Sequence, residues 1–333
     1  MLCMLASLAM LAFALMRLGR YINRVPHAVV SGFSCGIGGM MLVSQLDIIL
    51  GVSSPLTRSA GSTISQFVAV THHLLDTRLA PLTLGMMVIV AASLSARFSH
   101  RVPAPLIGVA LAIAMARFFG WREKEVGFLA PGLPPIASLS LGTRQILSLF
   151  PSAVALAFVS SVNILITSRV VEHFRGRHKR MKPDDADREL RAYGLANLCA
   201  SAFGAPLSVG IPARSLAVVR CGGTTPLANL FHAVVLLVIL RLGTGFIARI
   251  PIPALAGVTA WMGLCLLDWS AWRRLPKMAR VDAAAFLVTV FSVLTVNAVL
   301  AVAIGCSLYA VHALWVRYSR PPLEEAFEPP AAP

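Results

Sequence analysis

Charge is what this sequence has least of. Of its 333 residues only 13% are Asp, Glu, Lys or Arg, roughly half the share that a soluble domain uses to cover its surface. Catalytic and metal-binding patterns are also missing. The six cysteines (Cys3, Cys35, Cys199, Cys221, Cys265 and Cys306) lie in or at the ends of apolar runs. They form no CxxC or other ligand spacing and read as small packing residues. The eight histidines contain no HxxxH or HExxH pair, and His72 and His73 are merely adjacent. With no nucleophile–base or metal constellation in any loop, neither an enzyme nor a cofactor is expected.

What is present is long apolar sequence. Hydrophobic residues make up 57% of the chain, and the mean hydropathy is +0.77. Stretches free of charge cover 1–16, 25–46, 79–96, 102–116, 145–168, 192–213, 221–240, 250–267 and 283–316. A bilayer crossing takes about 20 apolar residues, and lipid leaves helices as the default spanning structure. The expectation is an all-α polytopic membrane protein of about ten helices. The last run, at 34 residues, is too long for one crossing and predicts a hairpin turning near Asn297. The first run lacks a basic leader and a small-residue cleavage site, so it reads as a mature helix rather than a signal peptide.

The net charge of +15 does not point to nucleic acid. The basic residues gather at helix ends: Arg17, Arg20 and Arg24; Arg175, Arg177, Lys179, Arg180 and Lys182; Arg273, Arg274, Lys277 and Arg280; Arg317 and Arg320. The positive-inside rule places these groups, and the C-terminus, in the cytoplasm, for a chain of a bacterial inner membrane. The loops around 51–77 and 120–144 then lie outside, with 58–76 as an external loop or surface helix. The acidic, proline-rich tail 319–333 has the composition of a disordered segment.

Two features go beyond a generic bundle. The first is a repeat: Arg24-Val-Pro-His-Ala-Val-Val-Ser-Gly32 overlays Arg249-Ile-Pro-Ile-Pro-Ala-Leu-Ala-Gly257, with Arg, Pro and Gly in register. Each copy opens a long apolar helix. Seven helices between equivalent points reverse the direction across the membrane, which is an inverted-topology repeat; chance is the competing explanation. The second is a break. Gly204-Ala-Pro206-Leu-Ser-Val-Gly210-Ile-Pro212 interrupts the run 192–213. Proline ends one helix near Phe203 and is tolerated at the start of another near Ile211, which ends at Cys221-Gly222-Gly223. The resulting half-helix over 211–220 presents free N–H groups and a positive dipole end near mid-membrane, where transporters bind substrate.

The candidate substrate site is Ser208, Gly210, Ile211, Pro212, Ala213, Arg214 and Ser215, with Asn163 and Thr167 from the helix before the basic loop. Arg214 in the first turn is a candidate anion ligand; snorkelling to the interface is the alternative. Asn163 and Thr167, four apart, share one helix face. Either a lined cavity or interhelical hydrogen bonding explains them. Glu189 is expected in the first turn of the helix that follows.

These segments together resemble the SulP family of sulfate permeases and related anion carriers. Tyr21-Ile-Asn-Arg-Val-Pro26 through Gly38, with Ser44-Gln45-Leu46 and Gly51, is similar to a family signature. Pro103-Ala-Pro105-Leu, Val126-Gly127 with Gly132-Leu-Pro134-Pro135, and Glu189-Leu190…Gly194-Leu-Ala-Asn197…Phe203-Gly204-Ala-Pro206 follow in order. So do Gly210-Ile-Pro-Ala-Arg214-Ser215, Gly222-Gly223-Thr-Thr225-Pro226-Leu-Ala228, Ile250-Pro251…Leu255-Ala-Gly257 and Asp282…Asn297…Ala301-Val-Ala-Ile-Gly305.

The resemblance implies a partial seven-plus-seven inverted-repeat transporter fold, about helices 4–14 of fourteen. Residues 1–119 would be the end of the first repeat, mainly gate-domain helices, and 120–144 an external loop. Core-domain helices would fill 145–245, gate-domain helices 250–318, and a cytoplasmic tail 319–333. It implies secondary transport of a small inorganic anion such as sulfate or bicarbonate, bound between two half-helices, of which this chain supplies one. Helices one to three and the STAS domain of the family plan are not in the chain. The acidic coupling position of helix eight falls on Asn163, and the usual asparagine after the arginine falls on Val218, which fits exchange or uncoupled flux. The expected partners are the anion and the lipid bilayer, with a homodimer left open. A truncated, non-transporting fragment or partner subunit, and a nucleobase permease of the same fold, are the alternatives.

Overall fold

The computed structural model describes residues 1–19, 25–52, 62–98, 104–128, 143–174, 183–296 and 298–319. The basic cluster 175–182, Arg20, Arg24, Asn297 and the tail beyond 319 lie outside the described residues. The helices are α1 (Leu2–Leu15), α2 (His27–Leu50), α3 (Thr63–His72), α4 (Leu79–Phe98), α5 (Ala104–Phe118), α6 (Thr143–Phe174), α7 (Pro183–Ala202), α8 (Pro212–Arg220), α9 (Leu227–Leu242), α10 (Thr244–Ile247), α11 (Ile252–Leu266), α12 (Trp269–Arg274), α13 (Arg280–Thr295) and α14 (Ala298–Ser319). Among the described residues no strand forms; one isolated bridge joins Glu125 to Pro251. The last apolar run divides as expected, with α13 ending and α14 starting on either side of Asn297. Residues 63–72 form the helix α3, capped by Ser62.

By length and composition, His27–Leu50 and Ile146–Phe174 are each able to cross a membrane, and α11 with α12 and the turn after it makes a pair bent by 40°. Shorter apolar stretches of 10–17 residues are Leu2–Leu15, Leu79–Ser95 within α4, Pro105–Phe118 within α5, Leu227–Leu242 and Leu300–Val316 within α14. Glu189 is displaced from its expected place. The helix begins at Pro183, six residues earlier, so Glu189 sits in the second turn. Proline at the first helical position and acidic residues after it favour that earlier start.

The helices pack as two groups. In one, α1 lies along α6 and α7, and α8 rests on α6. In the other, α2 lies along α11 and α13, α4 along α5 and α11, and α13 along α14. The groups meet through Ala14, Leu165, Ile166, Val170 and Leu190 on one side and Val29, Phe33, Ala285, Val293 and Ala301 on the other. Leu216 of α8 also reaches Leu266 of α11. Large apolar side chains remain exposed around the bundle, and no residue of α9 is buried among those described. In lipid such exposure carries no penalty.

The repeated motif has matching structure in its two copies. Pro26 and Pro251 are both extended residues that precede a helix, at φ −65°, ψ 149° and φ −64°, ψ 132°. The helices they open, α2 and α11, run antiparallel: Ser31 faces Asp268, Ser34 faces Leu266, and Ile49 packs with Ala256. At the crossing, a Cβ on Gly38 would lie 2.7 Å from the Gly263 carbonyl oxygen, and one on Gly263 would lie 2.8 Å from the Gly38 carbonyl oxygen. These glycines occupy the same place in the two copies, 14 residues after Arg24 and Arg249. Reciprocal contact between equivalent residues is what a two-fold relation produces.

Candidate functional site

The site is built where α7 stops and α8 begins. α7 closes at Ala202, and Gly204 takes a left-handed turn at φ 71°. The N–H groups of Gly204 and Ala205 return to the carbonyls of Ser201 and Ala200 at 3.0 and 3.2 Å. Pro206 cannot continue a helix, and the chain runs without one from Ala205 to Ile211.

An unwound backbone at membrane depth needs partners for its polar groups, and α6 and α7 supply them. Asn197 of α7 grips Ser208 with both ends of its amide. Its Oδ1 accepts the Ser208 N–H at 2.7 Å, and its Nδ2 donates to the Ser208 carbonyl at 2.8 Å. Thr167 of α6 donates from Oγ1 to the Gly210 carbonyl at 3.1 Å. Tyr193, one turn before Asn197, closes over Gly210: a Cβ there would lie 2.6 Å from the tyrosine hydroxyl. Ser168 donates to Glu189, which ties α6 to α7 beside Thr167.

The half-helix then starts as the sequence suggested. Ile211 is extended and exposed, and Pro212 is buried in the first turn. The N–H groups of Arg214 and Ser215 turn back to the Ile211 carbonyl at 3.1 and 3.3 Å, and no side chain caps the N-terminus. The nine residues span about 14 Å, and the helix ends at Gly222, φ 82°.

Of the predicted site residues, Thr167, Ser208 and Gly210 are brought together in one hydrogen-bonded unit, and Ile211, Pro212, Ala213, Arg214 and Ser215 form the helix start that follows. Ser208 is held by its backbone and exposes its side chain. Arg214 is exposed, and among the described residues its side chain has no hydrogen bond or ion pair. Asn163 is half-buried one turn before Thr167 and makes no hydrogen bond among the described residues. The grip of Asn197 and the closure by Tyr193 were not foreseen from the sequence. Their signal was an Asn and a Tyr four apart, hence on one face, just ahead of a Gly–Pro break.

The arrangement offers an uncapped helix N-terminus, with its partial positive charge, and beside it a guanidinium unpaired among the described residues. Both favour an anion. Among the described residues no group of three or more His, Cys, Asp or Glu side chains is placed to hold a metal ion.

Comparison with known proteins identifies the family. Residues 1–289 match the family described as the sulfate permease family. The chain is 27% identical over 306 residues to the bicarbonate transporter BicA of Synechocystis, covering 91% of this chain and 52% of that protein. A probable sulfate transporter of Mycobacterium tuberculosis is 27% identical over 303 residues, covering 88% and 50%. The chain thus spans about half the length of these curated relatives. Among solved structures, the transmembrane domain of a cyanobacterial BicA superposes with a TM-score of 0.68 at 24% identity, over 93% of this chain and 75% of that one. Murine Slc26a9, an anion transporter solved in an inward-facing state, gives 0.71 at 21% identity over 95% and 52%. With an all-α membrane fold, a matching inverted repeat and a family match over most of its length, the chain belongs to the sulfate permease family.

Proposed function

We propose that the chain carries out secondary transport of a small inorganic anion, sulfate or bicarbonate, at the start of α8. The observation that carries this reading is the uncapped half-helix with Arg214, unpaired among the described residues, in its first turn, behind a break that Asn197 and Thr167 hold. The relatives named for sulfate and bicarbonate transport support the same class of substrate. In this reading α1, α6, α7 and α8 form the moving body, and α2, α4, α5, α11, α13 and α14 form the scaffold it moves against. The basic ends of α1, α6 and α14 face the cytoplasm of a bacterial inner membrane, and two copies form a dimer. Asn163 stands where a cation-coupling carboxylate would be, so the mode is anion exchange or uncoupled flux.

The test is uptake of radiolabelled sulfate by proteoliposomes holding the full chain. Counter-anion-dependent uptake that weakens in Arg214→Gln is expected. Uptake kinetics unchanged by that substitution remove Arg214 from the site, and no flux of sulfate or bicarbonate from either side refutes transport by this chain.

A further inference from the structure

Helix α6 carries Thr167 to the substrate site, and six residues later it carries His173 to a second polar cluster. There the His173 Nε2 lies 2.9 Å from Asp268 Oδ2, and His173 Nδ1 lies 2.9 Å from His27 Nε2. The two rings meet edge to face at 4.5 Å between centroids. Asp268 is buried and His173 partly buried, with side chains 5% and 11% exposed, whereas His27 is exposed as the first residue of α2. Asp268 lies in the turn beyond α11. It accepts the Ser31 hydroxyl at 3.0 Å, the Ser270 hydroxyl at 2.6 Å and the Ala271 N–H at 3.1 Å, while its own N–H meets Cys35 Sγ at 3.2 Å. Burial works against its charge, but the bonds from His173, Ser270, Ala271 and Ser31 outweigh it and hold the carboxyl below the usual carboxylate range.

The line crosses the boundary between the two helix groups. His27 and Asp268 belong to the scaffold, and His173 is the next-to-last residue of α6. Its proton count follows from the chemistry of imidazole, whose neutral ring has one N–H and one acceptor nitrogen. With a charged Asp268, His173 donates from Nε2, its Nδ1 accepts, and His27 donates from Nε2. One added proton makes a single imidazolium, and each contact keeps one hydrogen between its heavy atoms while gaining charge assistance. A second added proton sets N–H against N–H and breaks the His–His contact.

Other charged and titratable groups lie near the line or on the helices around it. Cys35 touches Asp268, and Arg274 donates to Ser270 at 2.8 Å. Arg169 and Glu172, just before His173, each have contacts of their own. On the helices packed against α6, Asp187 accepts the Gly19 N–H, Glu189 accepts Ser168, and Tyr309 of α14 donates to Asp282 of the neighbouring α13. Histidine is the side chain whose charge ordinarily changes between about pH 5 and 8.

We propose that His27, His173 and Asp268 form a proton-binding clasp that fastens the site-bearing helix α6 to α2 and α11, and that one bound proton tightens it. Opening the clasp separates the histidines and releases that proton, so mild acid favours the fastened state. The effect on transport rests on the function proposed above; the clasp itself does not.

The test is thermal unfolding of the full chain in detergent between pH 8 and 6, with His27→Gln and His173→Gln beside the native protein. His27 is exposed at a helix start, so His27→Gln remains usable if His173→Gln fails to fold. On acidification the native protein is expected to gain about 1–2 °C relative to His27→Gln, the shift that accompanies one strengthened polar contact in a chain of this length. Identical pH profiles for the two overturn the clasp. Sulfate flux supplies the second arm, because sulfate keeps its charge over this range. Flux that slows severalfold on acidifying the His27 side in the native protein, but not in His27→Gln, supports control of transport. A clasp seen in unfolding without that flux response refutes the link to transport. A clasp seen with no flux at any pH refutes the transport reading and leaves the clasp standing.

Discussion

Arg214 is an exposed guanidinium in the first turn of a half-helix, with no ion pair among the described residues, and its charge sets two expectations. A charge-assisted hydrogen bond contributes about 1.5–3 kcal/mol, so Arg214→Gln should weaken sulfate affinity about tenfold or more. Arg214→Lys, which keeps the charge but not the planar fork, should fall between. Concentration-dependent uptake distinguishes them, and equal affinities for all three contradict the assignment. Asn197 is a structural counterpart. Replacing it by Ala strands the Ser208 N–H and carbonyl, which should cost about 1–3 kcal/mol. Denaturant titration in detergent should show that loss, while Ser208→Ala, which keeps the backbone grip, should be nearly neutral.

Individual elements differ in how plainly the sequence announces them. The half-helix was legible almost to the residue, because Pro206, Pro212 and Gly222 act locally and each forces or stops a conformation. The start of α7 was not legible, because Pro183-Asp-Asp-Ala-Asp-Arg188 is polar enough to resemble a loop. Its favourable fit to a helix N-terminus shows only when the helix behind it is known. The grip on Ser208 and the bond from Thr167 to Gly210 join residues 11 and 43 apart, and His173 meets Asp268 across 95 positions. Such partnerships are set by packing, which no local pattern encodes. The crossing of α2 and α11 carries its own expectation. Gly38→Ala or Gly263→Ala forces backbone apart and should cost about 1–3 kcal/mol. Because both act on one contact, the double variant should cost less than the sum, as unfolding measurements would reveal; strict additivity would mean that the two glycines do not share a contact.

At the scale of the molecule, two helix groups share one apolar boundary, and polar links cross it at His173. The site and the clasp sit on the same helix, α6, so a movement of that helix relative to α2 and α11 reaches both. Proteoliposomes carrying the full chain should therefore show sulfate flux that responds to pH and loses the response in His27→Gln, while Arg214→Gln lowers flux at every pH. The opposite assignment, with Arg214→Gln changing only the pH response, would separate charge at the half-helix from substrate recognition.

The meeting of Gly38 with Gly263 also bears on how such a chain can change over generations. If the two halves descend from one duplicated segment, each glycine became the other's surroundings at the moment of duplication. A larger side chain in either copy would be refused by its twin before any selection on transport came into play. This crossing should consequently drift more slowly than the loops on either side, and the two halves should diverge from it outward, with their common ancestry written longest at the point where they touch.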